Sequence, residues 1–163
     1  MISPRGLYPS QAGGFSWSAR TEPGWSGIED FRPAGQALID FVTIKRFPQA
    51  DLNKVILIGF SQGAALAFSM LLLFPERIYT IAAISGFLPS GSEHYLQPDQ
   101  LKGKMIFVAH GKNDGIVPIE ASKDAVESLE KTGVQVAYCE EDVGHKLSAN
   151  CFRSLDTFID SIL

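Results

Sequence analysis

Three residues that together can activate an alcohol are spread along this chain: Ser61, Asp114 and His145. Ser61 is the centre of Gly59-Phe60-Ser61-Gln62-Gly63, which fits the G-x-S-x-G pattern. In that pattern a strand turns sharply into a helix and holds the serine hydroxyl above the sheet edge. The flanking glycines suit a place where strand and helix nearly touch and a Cβ does not fit. Gln62 would offer its backbone N–H as one half of an oxyanion hole, at a helix N-terminus whose dipole favours developing negative charge. The same five residues also fit an inert tight turn. Context favours the nucleophile: a branched apolar run precedes it, and small residues at 63, 64, 65 and 67 follow.

A serine hydroxyl is a poor nucleophile until a base takes its proton, and that base is best a histidine held by a buried carboxylate. The chain has three histidines. His94 sits in a polar loop and suits solvent. His110 ends an apolar run and suits a structural hydrogen bond at the floor of the site. His145, beside Gly144, suits the general base. Asp114 is the favoured acid. Asp142 is its rival, but belongs to an acidic run typical of a solvated edge. Each chosen residue follows an expected strand, where parallel sheets gather their functional groups. The order Ser, Asp, His is that of an α/β-hydrolase.

The elements that must position these residues follow from apolar periodicity. Val55 to Ile58 reads as a short strand covered on both faces, followed by a helix over 62–74 that is apolar nearly all round and therefore buried. Tyr79–Gly86, Lys104–His110 and Val134–Cys139 read as further strands. Helices are expected from Ser26 toward Phe47, with Pro33 as a kink or a start and Lys45-Arg46 at its end, from Pro118 to Lys131, and from Ser148 to Ile162 with Phe152, Leu155, Phe158 and Ile159 inward. Met1-Ile2-Ser3 hints at a strand. The rest of residues 1–27 and the stretch 87–103 read as loops. Alternating strands and helices predict one α/β domain over 1–163, a three-layer sandwich around a mostly parallel sheet.

A net charge of −4 gives no electrostatic basis for binding nucleic acid. No apolar run approaches the roughly 18 residues of a membrane span, and no signal peptide is visible in residues 1–20. Cys139 and Cys151 are expected as two thiols in a reducing cytoplasm rather than a disulfide. No Cys/His cluster has metal-ligand spacing.

Gly59 to Gly63, Ser85-Gly86-Phe87-Leu88-Pro89, His110-Gly111 with Asp114 and Val117-Pro118, and Gly144-His145 together resemble the phospholipase/carboxylesterase family of α/β-hydrolases. Ser3-Pro4-Arg5-Gly6 and Gly13-Gly14-Phe15-Ser16-Trp17 extend the resemblance over nearly the whole chain. It implies a serine esterase without metal or cofactor, acting on small carboxylic esters or acyl thioesters, with lysophospholipids as a further class. Ser61, Asp114 and His145 would be its triad, Gln62 an oxyanion donor, and Phe15, Trp17, Phe87 and Leu88 the acyl wall. Against the family pattern the chain is short at its N-terminus, where further strands and a second oxyanion donor are expected. Two expectations follow: an open edge on the Val55–Ile58 strand that a second copy of the chain pairs with, and, as the alternative to an active enzyme, a catalytically impaired hydrolase-like scaffold.

Overall fold

The computed structural model describes residues 1–10, 13–20 and 24–163. Gln11, Ala12 and Thr21 to Pro23, which belong to the loop expected over 1–27, lie outside the described residues. The remainder of that loop forms a two-residue antiparallel hairpin, β1 (Tyr8–Pro9) with β2 (Phe15–Ser16), and the strand suggested at Met1-Ile2-Ser3 is not formed.

The core is a four-stranded sheet in the order β3 (Ile56–Phe60), β4 (Thr80–Ile84), β5 (Met105–Gly111), β6 (Gln135–Glu141), parallel throughout. Helices α1 (Ile28–Phe41), α2 (Gln62–Leu73) and α4 (Ile119–Glu130) cover one face, and α5 (Ala149–Ile162) covers the other. The strands alternate as a pleat requires. Ile81, Ala83, Ile106 and Val108 join the larger core under α1, α2 and α4, while Ala82, Ile84, Phe107 and Ala109 meet Leu155, Phe158 and Ile162 of α5. Every residue of α2 from Ala64 to Leu72 is buried, as its apolar circumference predicts.

Several boundaries differ from the sequence expectation. Helix α1 stops at Phe41. The β-branched run Val42-Thr43-Ile44 favours leaving the helix, so Ile44 is exposed and Lys45-Arg46 fall beyond the last turn. Pro33 lies inside α1 rather than at its start. The stretch 87–103 contains a 3₁₀ turn at Ser92–His94 and a one-turn helix α3 (Pro98–Leu101). Phe152 is 59% exposed on α5, because Cys151 takes the inward position beside it.

Strand β3 is covered by α2 on one face only. Its other face leaves Ile58 and Phe60 about half exposed, since α5 packs mainly over β6 and β5 and does not reach them. Its outer edge has no strand partner among the described residues.

At the β3–α2 turn the two flanking glycines play unequal parts. A Cβ on Gly59 would lie 2.1 Å from the carbonyl oxygen of Gly63, so strand and helix can approach only if residue 59 has none. A Cβ on Gly63 meets nothing closer than Trp17 Nε1 at 4.0 Å, contrary to the expectation that both glycines answer the same crowding. Gly59→Ala should therefore cost about 3 kcal/mol, near 10 °C in melting temperature. Gly63→Ala should melt with the parent or up to about 3 °C above it, because alanine favours the helix. Differential scanning calorimetry of the two variants checks the contrast.

Candidate active site

Ser61 is the residue between β3 and α2, and its backbone sits at φ 54°, ψ −118°. A non-glycine residue at positive φ costs on the order of 1–3 kcal/mol and persists only where its surroundings impose it. Here they do. The Ser61 N–H donates to Ile84 O at 2.9 Å, and the Ser61 carbonyl accepts from the N–H groups of Ala64 and Ala65. Beside the turn, a Cβ on Gly86 would fall 2.4 Å from Ala64 Cβ and 3.2 Å from the Ser61 carbonyl oxygen. Gln62 opens α2, so its backbone N–H has no intrahelical acceptor.

The side chain of Gln62 does something the sequence did not suggest. Its Oε1 accepts from the backbone N–H of Trp17 at 2.9 Å, and its Nε2 donates to Ser16 Oγ at 2.9 Å. These bonds hold the end of the N-terminal hairpin against the turn. Trp17 packs partly buried on the larger core with its Nε1 near Gly63, close to where the acyl wall was expected. Phe15 is placed differently: about half exposed, it lies under the Arg5 guanidinium, 4.0 Å from ring centroid to Cζ. Phe87 is buried and Leu88 half-buried, and both line a cleft together with Trp25.

Asp114 and His145 meet. Asp114 Oδ2 accepts from His145 Nδ1 at 2.7 Å, and Asp114 Oδ1 accepts from the N–H groups of Ile116 and Val117 at 2.8 and 3.0 Å. A carboxylate can only accept, so Nδ1 of His145 carries the proton and Nε2 keeps its lone pair. The rival Asp142 faces Lys112 at 3.5 Å with an exposed side chain. His110 is buried at 3% exposure and its Nε2 lies 2.8 Å from Val117 O, with Asp114 Oδ2 3.5 Å away. That is the structural hydrogen bond expected of it.

The loop that carries His145 reaches Asp114 because Gly111 has no side chain. A Cβ there would lie 2.3 Å from the carbonyl oxygens of both Val143 and Gly144. The Asn113 N–H donates to Val143 O at 3.0 Å and fixes the crossing. The imidazole of His145 then packs on Phe60, centroids 4.8 Å apart, next to Ser61 in the chain. Among the described residues no hydrogen bond joins Ser61 to His145. In free enzymes such contacts are commonly long and tighten around substrate.

The same loop is closed by a disulfide between Cys139 near the end of β6 and Cys151 in the first turn of α5, Cα atoms 5.7 Å apart. This overturns the expectation of two thiols, and with it the argument from cysteine for a reducing compartment. Adjacent ends of a strand and the helix packed on it bring the two Cβ atoms together, a proximity that cysteine counting does not reveal. With 12 residues of separation, the crosslink contributes about 3 kcal/mol in the chain-entropy account. No helix among the described residues is long and apolar enough to cross a membrane.

Burial of Asp114 works to raise its pKa. The hydrogen bonds from His145, Val117 and Ile116 outweigh it and hold the carboxyl below the usual value. A carboxyl whose pKa is lowered on folding adds stability that is fully present above its unfolded value, near 4, and is lost as pH falls through the folded one. The parent should therefore lose stability on acidification below about pH 4. Asp114→Asn should flatten that part of the profile, as urea melts at stepped pH would read out.

A model of the family described as phospholipase/carboxylesterase matches residues 18–163. Carboxylesterase SOBER1 of Arabidopsis thaliana is 31% identical over 109 residues, 66% of this chain and 48% of its own length. Acyl-protein thioesterase 1 of Kluyveromyces lactis is 35% identical over 123 residues, 67% of this chain and 54% of its own. The crystal structure of the Bacillus cereus carboxylesterase has the same fold, with a TM-score of 0.85 at 24% identity, covering 98% of this chain and 74% of that one. The chain spans a little under half the length of the first curated relatives it matches. The match across residues 18–163, with the α/β sheet it accompanies, means that this chain belongs to the phospholipase/carboxylesterase family.

Proposed function

We propose that the chain forms the catalytic region of a serine hydrolase that cleaves carboxylic esters, with acyl thioesters and lysophospholipids as its finer substrate classes. The observation that carries this reading is the hydrogen bond of 2.7 Å from His145 Nδ1 to the buried carboxylate of Asp114, at the same end of the sheet as the strained Ser61 turn. Ser61 Oγ attacks the acyl carbonyl while His145 Nε2 takes its proton. The tetrahedral oxyanion is met by the Gln62 N–H. The C–O or C–S bond to the leaving group then breaks, and His145 returns the proton to the departing alcohol or thiol. Water, deprotonated by the same nitrogen, releases the acid from the acyl-enzyme. Asp114 keeps the imidazole in one tautomer and stabilises its charged form.

The open outer edge of β3, flanked by exposed Ile58 and Phe60, is where we propose that a second copy pairs. Light scattering should give a dimer mass that Ile58→Lys reduces to a monomer. A monomeric parent at about 100 μM, far above the Kd of a stable interface, would count against it.

The chemistry is tested by fluorophosphonate labelling and hydrolysis of a short p-nitrophenyl ester. Labelling should vanish in Ser61→Ala, and turnover in Asp114→Asn should fall by about 10⁴ with the fold unchanged by circular dichroism. Failure of the folded parent to label would favour the impaired scaffold.

A further inference from the structure

A cleft of about 300 Å³ lies between the loop after β4 and the outer side of α4. Trp25 stacks on Phe87 in its wall, centroids 4.4 Å apart and planes at 22°, and the indole remains 46% exposed. Leu96 adds apolar surface. Glu93 on the loop and Asp124 on α4 bring carboxylates to the lining from two separate elements. No Lys, Arg or His lines the cleft among the described residues. His94 faces Glu93 only at 3.7 Å with an exposed ring, and Lys123, beside Asp124 in the chain, is paired with Glu140. Ser92 also belongs to the lining. Its Oγ is buried, the residue being 1% exposed, and has no hydrogen-bond partner.

These features have a common chemistry. The face of an aromatic ring attracts a cation, and two carboxylates with no Lys or Arg beside them in the lining add to that field. Both repel an anion. A buried hydroxyl with no partner carries a desolvation cost that a ligand N–H or ester oxygen would remove. The cleft also begins beside the catalytic turn. Phe87 follows Gly86, where a Cβ would lie 3.2 Å from the Ser61 carbonyl oxygen, and α4 follows the Asp114 loop through Val117 and Pro118. We propose that this cleft binds an alkylammonium group, the positively charged and partly apolar end of the ester on which Ser61 acts. The word ester rests on the hydrolase reading above, whereas selectivity for a cation rests on the cleft alone.

The test uses Ser61→Ala protein and three probes of one length: hexylammonium, hexanol and hexanoate, titrated by calorimetry and tryptophan fluorescence. Hexylammonium should bind at least about tenfold tighter than hexanoate. The double variant Glu93→Gln/Asp124→Asn, checked for unchanged melting temperature, should erase that preference. Equal or tighter binding of hexanoate, or a preference that survives the double variant, overturns the proposal. In the Ser61 protein, aminoalkyl esters should exceed carboxyalkyl esters in kcat/KM by a similar factor. Cation binding without hydrolysis of any ester would leave the cleft standing and remove the hydrolase. Hydrolysis indifferent to leaving-group charge, with no cation bound, would do the reverse.

Discussion

The side chain of Asp114 is 0% exposed yet held below the usual carboxyl pKa, and a buried charge of that kind is tolerated only when its oxygens are occupied. Its two oxygens take three N–H donors: the His145 ring and the Ile116 and Val117 backbone. Each donor comes with a structural commitment. The backbone pair folds the β5–α4 loop into a tight turn beneath the carboxylate. The ring requires the β6–α5 loop to cross the end of β5, which only a glycine at 111 allows. His110 braces the same turn from below through Val117 O. The carboxylate thus organises two loops at once, holding one imidazole nitrogen while the ring packs on Phe60.

The sequence carried the parts of this arrangement that depend on residue type and order. Four strands, the all-apolar α2 and the three post-strand residues were legible because each leaves a local imprint: an apolar run, a small-residue face, a chemistry-bearing side chain before a helix. Contacts between loops distant in sequence leave none. Nothing near Gly111 announces that residues 143 and 144 will press on it, and nothing near Cys139 announces Cys151 as its partner. The half-exposed face of β3 was hidden for a related reason. Val55-Ile56-Leu57-Ile58 is as apolar as a strand buried on both faces, and which strands reach α5 is decided by where α5 docks, not by the strand itself. The end of α1 was misjudged because an apolar stripe continues past the point where three β-branched residues release the helix.

The disulfide and the carboxylate act on the same segment from opposite ends. Residues 142–148 leave β6, present His145 and return to α5, whose first turn is capped by Ser148 Oγ accepting from the Cys151 N–H at 3.0 Å. Cys151 is therefore fixed both by its backbone cap and by its sulfur. A loop tethered at base and tip has few conformations open to it, so little ordering entropy opposes the placement of the imidazole.

Gln62 links the chemistry to the N-terminal hairpin in a similar way. Its backbone N–H lies at the free N-terminus of α2, while its side chain holds Ser16 and Trp17. One residue thus joins the start of α2 to the N-terminal hairpin. The coupling is directional in its consequences. Movement of the hairpin can be absorbed by rotation about the Gln62 side-chain bonds, leaving the helix N-terminus where it is. Movement of the helix start would disturb the donor, the Ser61 conformation and the hairpin together. The rigid member of the pair is α2, buried from Ala64 to Leu72. Ser61 therefore stands at the start of a helix that is buried along nearly its whole length, whereas Phe15 and Trp25 around it are about half exposed.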